Sequence, residues 1–157
     1  MLLGLLVGNS VYASDSETSQ NLEVDVDSAW EDFDNGNSPK VEEGIISSRE
    51  DEPGEISTQA FKTLATGKVS LSRSSNEITA TATTTRKSAL VSLSATVSMR
   101  IPGMSPIDGS TDKSYMFGKA ESSVSTETSH DQVYEAIGIH TASDHTGIYE
   151  LRTWNAG

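Results

Sequence analysis

Residues 89–101 alternate strictly between apolar and polar side chains. Every odd position from Ala89 to Ile101 is apolar, seven in succession, and every even position except Leu90 is Ser, Thr or Arg. Successive side chains point to opposite faces only in a β-strand. The pattern therefore predicts a strand over residues 88–101, with one face in a core and the other in water.

Shorter alternating segments continue from residue 59 to the end of the chain. Gly67–Ser72 and Ile78–Thr83 alternate in the same way and are separated by a polar turn, which predicts a hairpin. Pro102 and Gly103 end the long strand, and a loop is expected over 102–113. Further strands are expected at 115–128, 132–142 and 148–154, with a turn at 143–147 between the last two.

No helical periodicity of useful length accompanies these strands. The sequence therefore predicts an all-β fold, with residues 59–157 forming a single antiparallel β-sandwich or small open barrel of about six strands. Its core would be built from Ala, Val, Ile and Leu with few aromatic residues.

The net charge of −12 is confined to one segment. Residues 15–55 hold fourteen acidic and two basic residues, whereas residues 57–157 hold nine of each. High like charge, few large apolar side chains and several Gly, Pro and Asn residues predict that 14–58 is a disordered or loosely docked acidic leader or propeptide.

Two aromatic residues stand out among the carboxylates of this leader. Trp30 and Phe33 lie in the segment Ala-Trp-Glu-Asp-Phe-Asp. One interpretation is a short docking motif that folds against a partner or back onto the β-domain. The other is a turn of transient helix capped by Ser28, with Glu31 three residues later.

The first thirteen residues resemble the end of a secretory signal peptide. Leu2–Val7 form a short apolar run, and Val11-Tyr12-Ala13 fits the small-x-small cleavage rule, with Ser14 as the first mature residue. No Lys or Arg precedes Lys40, so a true start further upstream is one explanation, and a soluble protein with an apolar N-terminus is the alternative. We expect a secreted or extracellular protein without a membrane span, since no segment reaches about 20 apolar residues.

Few residue patterns indicate chemistry. The chain has no cysteine, no Gly-x-Ser-x-Gly motif and no glycine-rich phosphate loop, and an EF-hand register starting at Asp32 lacks the glycine it requires. Glu135 and Glu150 are candidates for a carboxylate pair across the last hairpin, although solvated cross-strand positions are the simpler interpretation. We therefore predict no catalytic residues, no metal site, no cofactor and no enzymatic activity.

The histidines and aromatics allow two interpretations each. His140 and His145 flank the last turn and, with Asp131 or Asp144, have residue types that bind zinc, but we expect structural or surface histidines, because a third ligand would have to come from elsewhere in the chain. The aromatic residues of the β-domain form either a strand-borne platform for a sugar or peptide, or core; they are Tyr115, Phe117, Tyr134, Tyr149 and Trp154. The candidate contact residues are Trp30, Phe33, Tyr115, Phe117, Tyr134, His140, His145 and Trp154.

Residues 60–157 resemble the small exported β-domain proteins of Gram-positive bacteria. The resemblance depends on Gly67–Ser72, on the Ser/Thr-rich alternating strands and on the ending Ile-His-Thr-Ala-Ser-Asp at 139–144. Some members look like lactococcin-type bacteriocins, from which this chain differs by its length, its acidic leader and its lack of basic charge. The resemblance implies export and fold, and no functional residues.

These observations favour a secreted, non-enzymatic β-domain that acts by surface contact at or outside the cell envelope. Its partner would be a protein or an envelope component; the neutral β-domain lacks the basic patch that nucleic acid requires. The alternative is a bacteriocin-like antimicrobial effector with residues 14 to about 56 as a removable propeptide. The sequence indicates neither the specific partner nor the oligomeric state.

Overall fold

The alternating pattern is realised as two stacked antiparallel sheets. The computed structural model describes residues 12–14, 24–50, 60–89, 91–115, 118–129 and 131–157. In chain order the elements are β1 (Tyr12–Ser14), α1 (Val26–Asp34), β2 (Glu43–Glu50), β3 (Ala60–Arg73), β4 (Glu77–Arg86), β5 (Ser92–Arg100), β6 (Ile107–Asp108), β7 (Asp112–Ser114), β8 (Lys119–Glu127), β9 (Glu135–Asp144) and β10 (Gly147–Ala156).

The described residues form ten strands, which divide between the two sheets. The six-stranded sheet has the order β1-β10-β9-β5-β6, with β7 also paired to β5, and the four-stranded sheet has the order β2-β3-β4-β8. Strand β5 faces β4 and β8, whereas β9 faces β3 and β4. The predicted all-β class is confirmed, and of the two architectures considered the chain adopts the sandwich.

Strand β5 confirms half of the prediction made from its alternation. Val91, Leu93, Ala95, Val97 and Met99 are all buried in the core between the sheets. The opposite face was expected to be wet, and that expectation is wrong. Ser94, Thr96 and Ser98 are 7%, 3% and 1% exposed, because other parts of the chain cover this outer face as well.

Part of that cover comes from the predicted loop over 102–113. Within it, β6 pairs with Ser98–Met99 and β7 pairs with Leu93–Ala95, so the free edge of β5 is occupied. Thr96 Oγ1 lies 2.8 Å from Thr111 Oγ1, and Ser98 Oγ donates to Asp108 Oδ1 at 2.6 Å. Buried hydroxyls need such partners, since an unpaired buried polar group is costly.

The predicted leader is the main correction to the domain boundaries. Residues 24–50, which fall within the predicted disordered segment 14–58, include α1 and the edge strand β2, and β2 pairs with β3 along its whole length. The disorder predicted for this part is wrong. Residues 15–23 and 51–59 lie outside the described parts of the chain.

Helix α1 begins three residues earlier than the sequence indicated. Asp25, not Ser28, is the N-cap, and its carboxylate accepts a hydrogen bond from the Ser28 amide at 2.9 Å. Of the two interpretations of the aromatic pair, docking onto the β-domain is the one that the structure shows. Trp30 and Phe33 are buried against Ile137 and Ile139 on the outer face of the six-stranded sheet.

The predicted signal peptide lies mostly outside the described residues. Residues 1–11 are not described, and the predicted cleavage position after Ala13 falls within β1, which pairs with β10. Export therefore stays a prediction. Among the described residues, no helix is long and apolar enough to cross a membrane.

The imidazole of His140 lies at the centre of the core, fully buried between the sheets. Thr84 Oγ1 donates to the Ser94 carbonyl at 2.6 Å, so it accepts from His140 Nδ1–H at 2.9 Å. Thr153 Oγ1 then donates to His140 Nε2 at 2.8 Å. Burial lowers the pKa of His140 to about 3, so the ring is neutral at physiological pH.

The backbone at two positions lies very close to the His140 ring, and glycine at both positions makes this approach possible. A Cβ atom added at Gly67 of β3 would lie 2.5 Å from His140 Cγ, and one added at Gly138 would lie 2.6 Å from His140 Nε2. Both distances are far inside van der Waals contact. The two glycines therefore set how closely the sheets pack around His140.

Replacing Gly67 with Ala should destabilise the fold by roughly 1–3 kcal/mol, because the added methyl overpacks a rigid buried ring. Denaturant unfolding measures the change. Gly118→Ala is the matched control, since no atom lies within 4 Å of its added Cβ, and its effect should stay within about 0.5 kcal/mol. Equal effects of the two substitutions would contradict the packing described.

Acidification should weaken the fold through His140. Its folded-state pKa lies below the value in an unfolded chain, so only the unfolded chain takes up this proton between about pH 6.5 and about pH 3. The stabilisation by His140 is complete above that range and is lost as the pH falls through it, by about 1.4 kcal/mol per pH unit.

The free energy of unfolding, measured by denaturation from about pH 7 to about pH 4.5, tests this expectation. The difference in stability between the wild type and His140→Gln should shrink as the pH falls. His145→Gln, at an exposed turn residue, is the control and should leave the pH dependence unchanged. A constant difference for His140→Gln would show that the buried ring does not govern this dependence.

Candidate functional site: the hydroxyl face of the four-stranded sheet

The structure does not gather the sequence-predicted contact residues on one surface. Trp30 and Phe33 are buried on the side of α1 that faces the six-stranded sheet, and Trp154 lies half-buried beside them. Tyr134 and His140 are buried between the sheets. Tyr115 is 69% exposed and His145 is an exposed turn residue, while Phe117 lies outside the described residues.

The aromatic platform considered from sequence is therefore not assembled. Tyr134 and Tyr149 belong to the main core, and Trp154 lies on the far side of the six-stranded sheet against α1. Of the two interpretations of these aromatics, core packing applies to Tyr134 and Tyr149. Only Tyr115 among the described members offers a largely exposed ring.

The structure forms neither the zinc site considered for His140 and His145 nor the carboxylate pair considered for Glu135 and Glu150. Both nitrogens of His140 are engaged by threonine hydroxyls inside the core, whereas His145 is exposed at the turn, so the two do not share a metal. Within the described parts of the chain, no three His, Asp or Glu side chains gather as a metal site would require. Glu135 pairs with Ala156 and Glu150 pairs with Thr141, which places the two carboxylates about six residues apart along the hairpin.

Charged residues hold α1 on the outer face of the six-stranded sheet. Arg100 stacks on Trp30, with its guanidinium carbon 4.0 Å from the ring centroid, and binds both Asp34 and Glu135. The hydrogen bond from Arg100 lowers the pKa of the exposed Asp34 carboxyl. This face is therefore occupied by the chain itself, and we look to the other sheet for a free surface.

The outer face of the four-stranded sheet carries a regular array of hydroxyl groups. We call this array the hydroxyl face. It consists of Thr66, Ser70 and Ser72 of β3, Thr79, Thr81, Thr83 and Thr85 of β4, and Ser123 and Ser125 of β8. All nine are exposed or half-exposed.

Strand register arranges these hydroxyls in rows across the sheet. One row is Ser72–Thr79–Ser125 and the next is Ser70–Thr81–Ser123. Neighbours within a row are about 4.8 Å apart and rows are about 6.7 Å apart, as strand spacing and alternation require. Thr79 and Ser125 hydroxyls lie 2.7 Å apart, and those of Thr81 and Ser123 lie 3.1 Å apart, so each pair is already ordered.

The two lysines at the border of this face lie beside carboxylates. Lys68 pairs in register with Glu43 on one side and with Thr83 on the other, and Thr83 Oγ1 donates to Glu121 at 3.3 Å. Lys119 Nζ lies 2.5 Å from Glu121, and its hydrogen bond lowers the pKa of that carboxyl. Beyond the Ser72–Thr79–Ser125 row, the exposed Glu77 and Glu127 pair in register on the same side of the sheet, and the exposed Ile45 pairs with Thr66. Among the described side chains, the face therefore has hydroxyl groups, no basic excess and no aromatic ring.

Sequence reasoning identified the strands of this face and their exposure, but not a site. The signal was the run Thr-x-Thr-x-Thr-x-Thr at 79–85, which places four β-branched hydroxyls on one side of β4. Its significance depends on β3 and β8 aligning further hydroxyls beside it, and pairing partners cannot be derived from the run itself.

Comparison with known proteins gives no match, whether to a family model, to a curated protein or to a solved structure. No enzyme family or enzyme relative is thus found for the chain.

Proposed function

We propose that this protein is a secreted, non-enzymatic domain that acts by surface contact at or outside the cell envelope. We further propose that the hydroxyl face is its contact surface, and that its partner is a neutral, hydroxyl-rich polymer such as a wall polysaccharide. The observation that supports this most is the array of nine exposed or half-exposed Ser and Thr side chains, which strand register aligns in rows.

The side chains of this face lose little freedom on binding. Ser and Thr have short side chains, and threonine is already restricted at χ1 by its branched Cβ. The cross-strand hydrogen bonds of Thr79 and Thr81 order the hydroxyls further. Each hydroxyl both donates and accepts, so the array matches the mixed donors and acceptors of a sugar polymer.

The charge of the hydroxyl face argues against nucleic acid and anionic lipid as partners. Lys68 and Lys119 lie beside Glu43 and Glu121, and Glu77 and Glu127 add two further carboxylates, so the described residues of this face have no basic excess. Binding to nucleic acid or to an anionic lipid surface requires a basic excess. A neutral hydroxylated polymer needs none, and its binding should therefore depend little on salt.

We do not extend the proposal to the bacteriocin-like alternative. Removal of residues 14–56 would delete α1 and β2, and would expose Ile137 and Ile139 on one sheet and the edge of β3 on the other.

Retention on isolated cell walls and on insoluble polysaccharides tests the proposal. The double variant Ser70→Arg/Thr81→Arg places two long, charged side chains in the middle row of the face, so we expect at least about a tenfold loss of retention, equivalent to about 1.4 kcal/mol. Wild-type retention should persist at high salt. Circular dichroism verifies that the variants are folded.

Ser105→Arg is the matched control, because Ser105 is an exposed serine in the loop after β5, away from the hydroxyl face. It should be retained like the wild type. Failure of the wild type to bind any wall fraction or polysaccharide would refute the proposal, and so would equal retention of the double variant and the control. Retention that disappears when wall-bound proteins are digested would point to a protein partner instead.

A further inference from the structure

The surface beneath α1 lies on the opposite side of the sandwich from the hydroxyl face. Ile137, Ile139 and the half-buried Trp154 provide its apolar floor, and Arg100 and Arg152 border it. We call these five residues the helix groove. Helix α1 fills the groove with Trp30 and Phe33, and Trp30 Nε1 donates to Ser98 Oγ at 2.9 Å.

Two arginines join the helix to the sheet, and both are already paired within the sheet. Arg100 binds Asp34 of α1, but also binds Glu135 through Nε at 3.2 Å and Nη2 at 3.1 Å. Arg152 binds Asp32 of α1, and its Nε lies 2.7 Å from Glu150. Departure of α1 would therefore leave neither arginine as an uncompensated buried charge, which is the costly outcome when one partner of an ion pair is lost.

Helix α1 is itself weak without the groove. It has nine residues, below the length at which isolated helices persist in water. Asp32 and Asp34 lie at its C-terminal end, where negative charge opposes the helix dipole, and its last turn has no basic residue. The arginines of the groove offset both carboxylates, so the charge complementarity is specific to an acidic helix.

We infer that the helix groove is a recognition site for an acidic amphipathic helix of a partner protein, and that α1 is its tethered, displaceable occupant. The helix that fits has aromatic residues three positions apart and carboxylates two and four positions after the first aromatic, as Trp30, Asp32, Phe33 and Asp34 show. The inference concerns the opposite side of the sandwich from the hydroxyl face and does not depend on the proposed function.

The test adds the helix in trans. The full-length variant Trp30→Ala/Phe33→Ala disables the tethered helix and leaves the groove residues unchanged. A fluorescein-labelled peptide of residues 24–36 should bind this variant at least about tenfold more tightly than the wild type, by fluorescence anisotropy, because in the wild type α1 competes for the groove.

Two peptide variants separate recognition from nonspecific binding. The peptide with Asp32→Asn and Asp34→Asn should bind at least about tenfold more weakly, since it lacks the partners of Arg100 and Arg152. The control peptide with Asp27→Asn and Glu31→Gln loses the same charge from exposed positions and should bind like the parent. Equal weakening of the two peptides, or no binding to the folded variant, would overturn the inference. Dimerisation of the variant protein without peptide binding would do the same.

Amide hydrogen exchange on the wild-type protein provides a measurement that does not depend on the variant folding. Displaceable helices open without global unfolding, so α1 amides at 29–34 should exchange at least about tenfold faster than those of β9 at 137–141 under native conditions. Equal protection of the two elements would show that α1 opens only when the whole domain unfolds, and the inference would fail.

Discussion

Burial of the six-stranded sheet on both faces is the constraint on which the rest of the structure depends. The inner face packs on the four-stranded sheet through Leu93, Val97 and Met99, and the outer face lies under α1 and the segment containing β6 and β7. A strand buried on both sides must satisfy any polar side chain it carries. Ser94 does so through Thr141 of the neighbouring strand β9. Thr96 and Ser98 do so through Thr111 and Asp108, and these two contacts hold the covering segment in place.

The same requirement explains the polar centre of the core. His140 is neutral and bonded at both nitrogens, which makes a buried imidazole compatible with a core of small apolar residues. Its ring joins Thr84 of the four-stranded sheet to Thr153 of the six-stranded sheet, and Gly67 and Gly138 provide the space. Hydrogen bonds are directional, whereas apolar packing is not. The bonds of the His140 ring to both sheets therefore favour one relative placement of the two sheets.

Hydrophobic alternation was sufficient to predict the fold class, the β3–β4 hairpin and the inner face of β5, because a period of two has one structural meaning. It could not predict that Ser94, Thr96 and Ser98 are buried, because a polar face looks the same in sequence whether water or another segment covers it.

Composition failed for residues 24–50 for a related reason. Counting charges treats Asp32 and Asp34 as repulsive, whereas their partners Arg152 and Arg100 lie more than sixty residues away in the chain. The hydroxyl face was recognised only as exposed strand, since its rows depend on strand register.

The two faces that are rich in Ser and Thr therefore use their hydroxyl groups differently. On β5, the hydroxyls of Thr96 and Ser98 form hydrogen bonds with the segment that covers them. On β4 and β8, hydroxyls form hydrogen bonds with one another across the strands, and their remaining donors and acceptors face solvent. An acidic helix covers part of the first face, packs on Ile137 and Ile139, and binds Arg100 and Arg152. The outer face of the other sheet has the hydroxyl array and no basic excess among its described residues. Because the two faces lie on opposite sides of a sandwich whose core separates them, substitutions on one should leave the binding properties of the other unchanged.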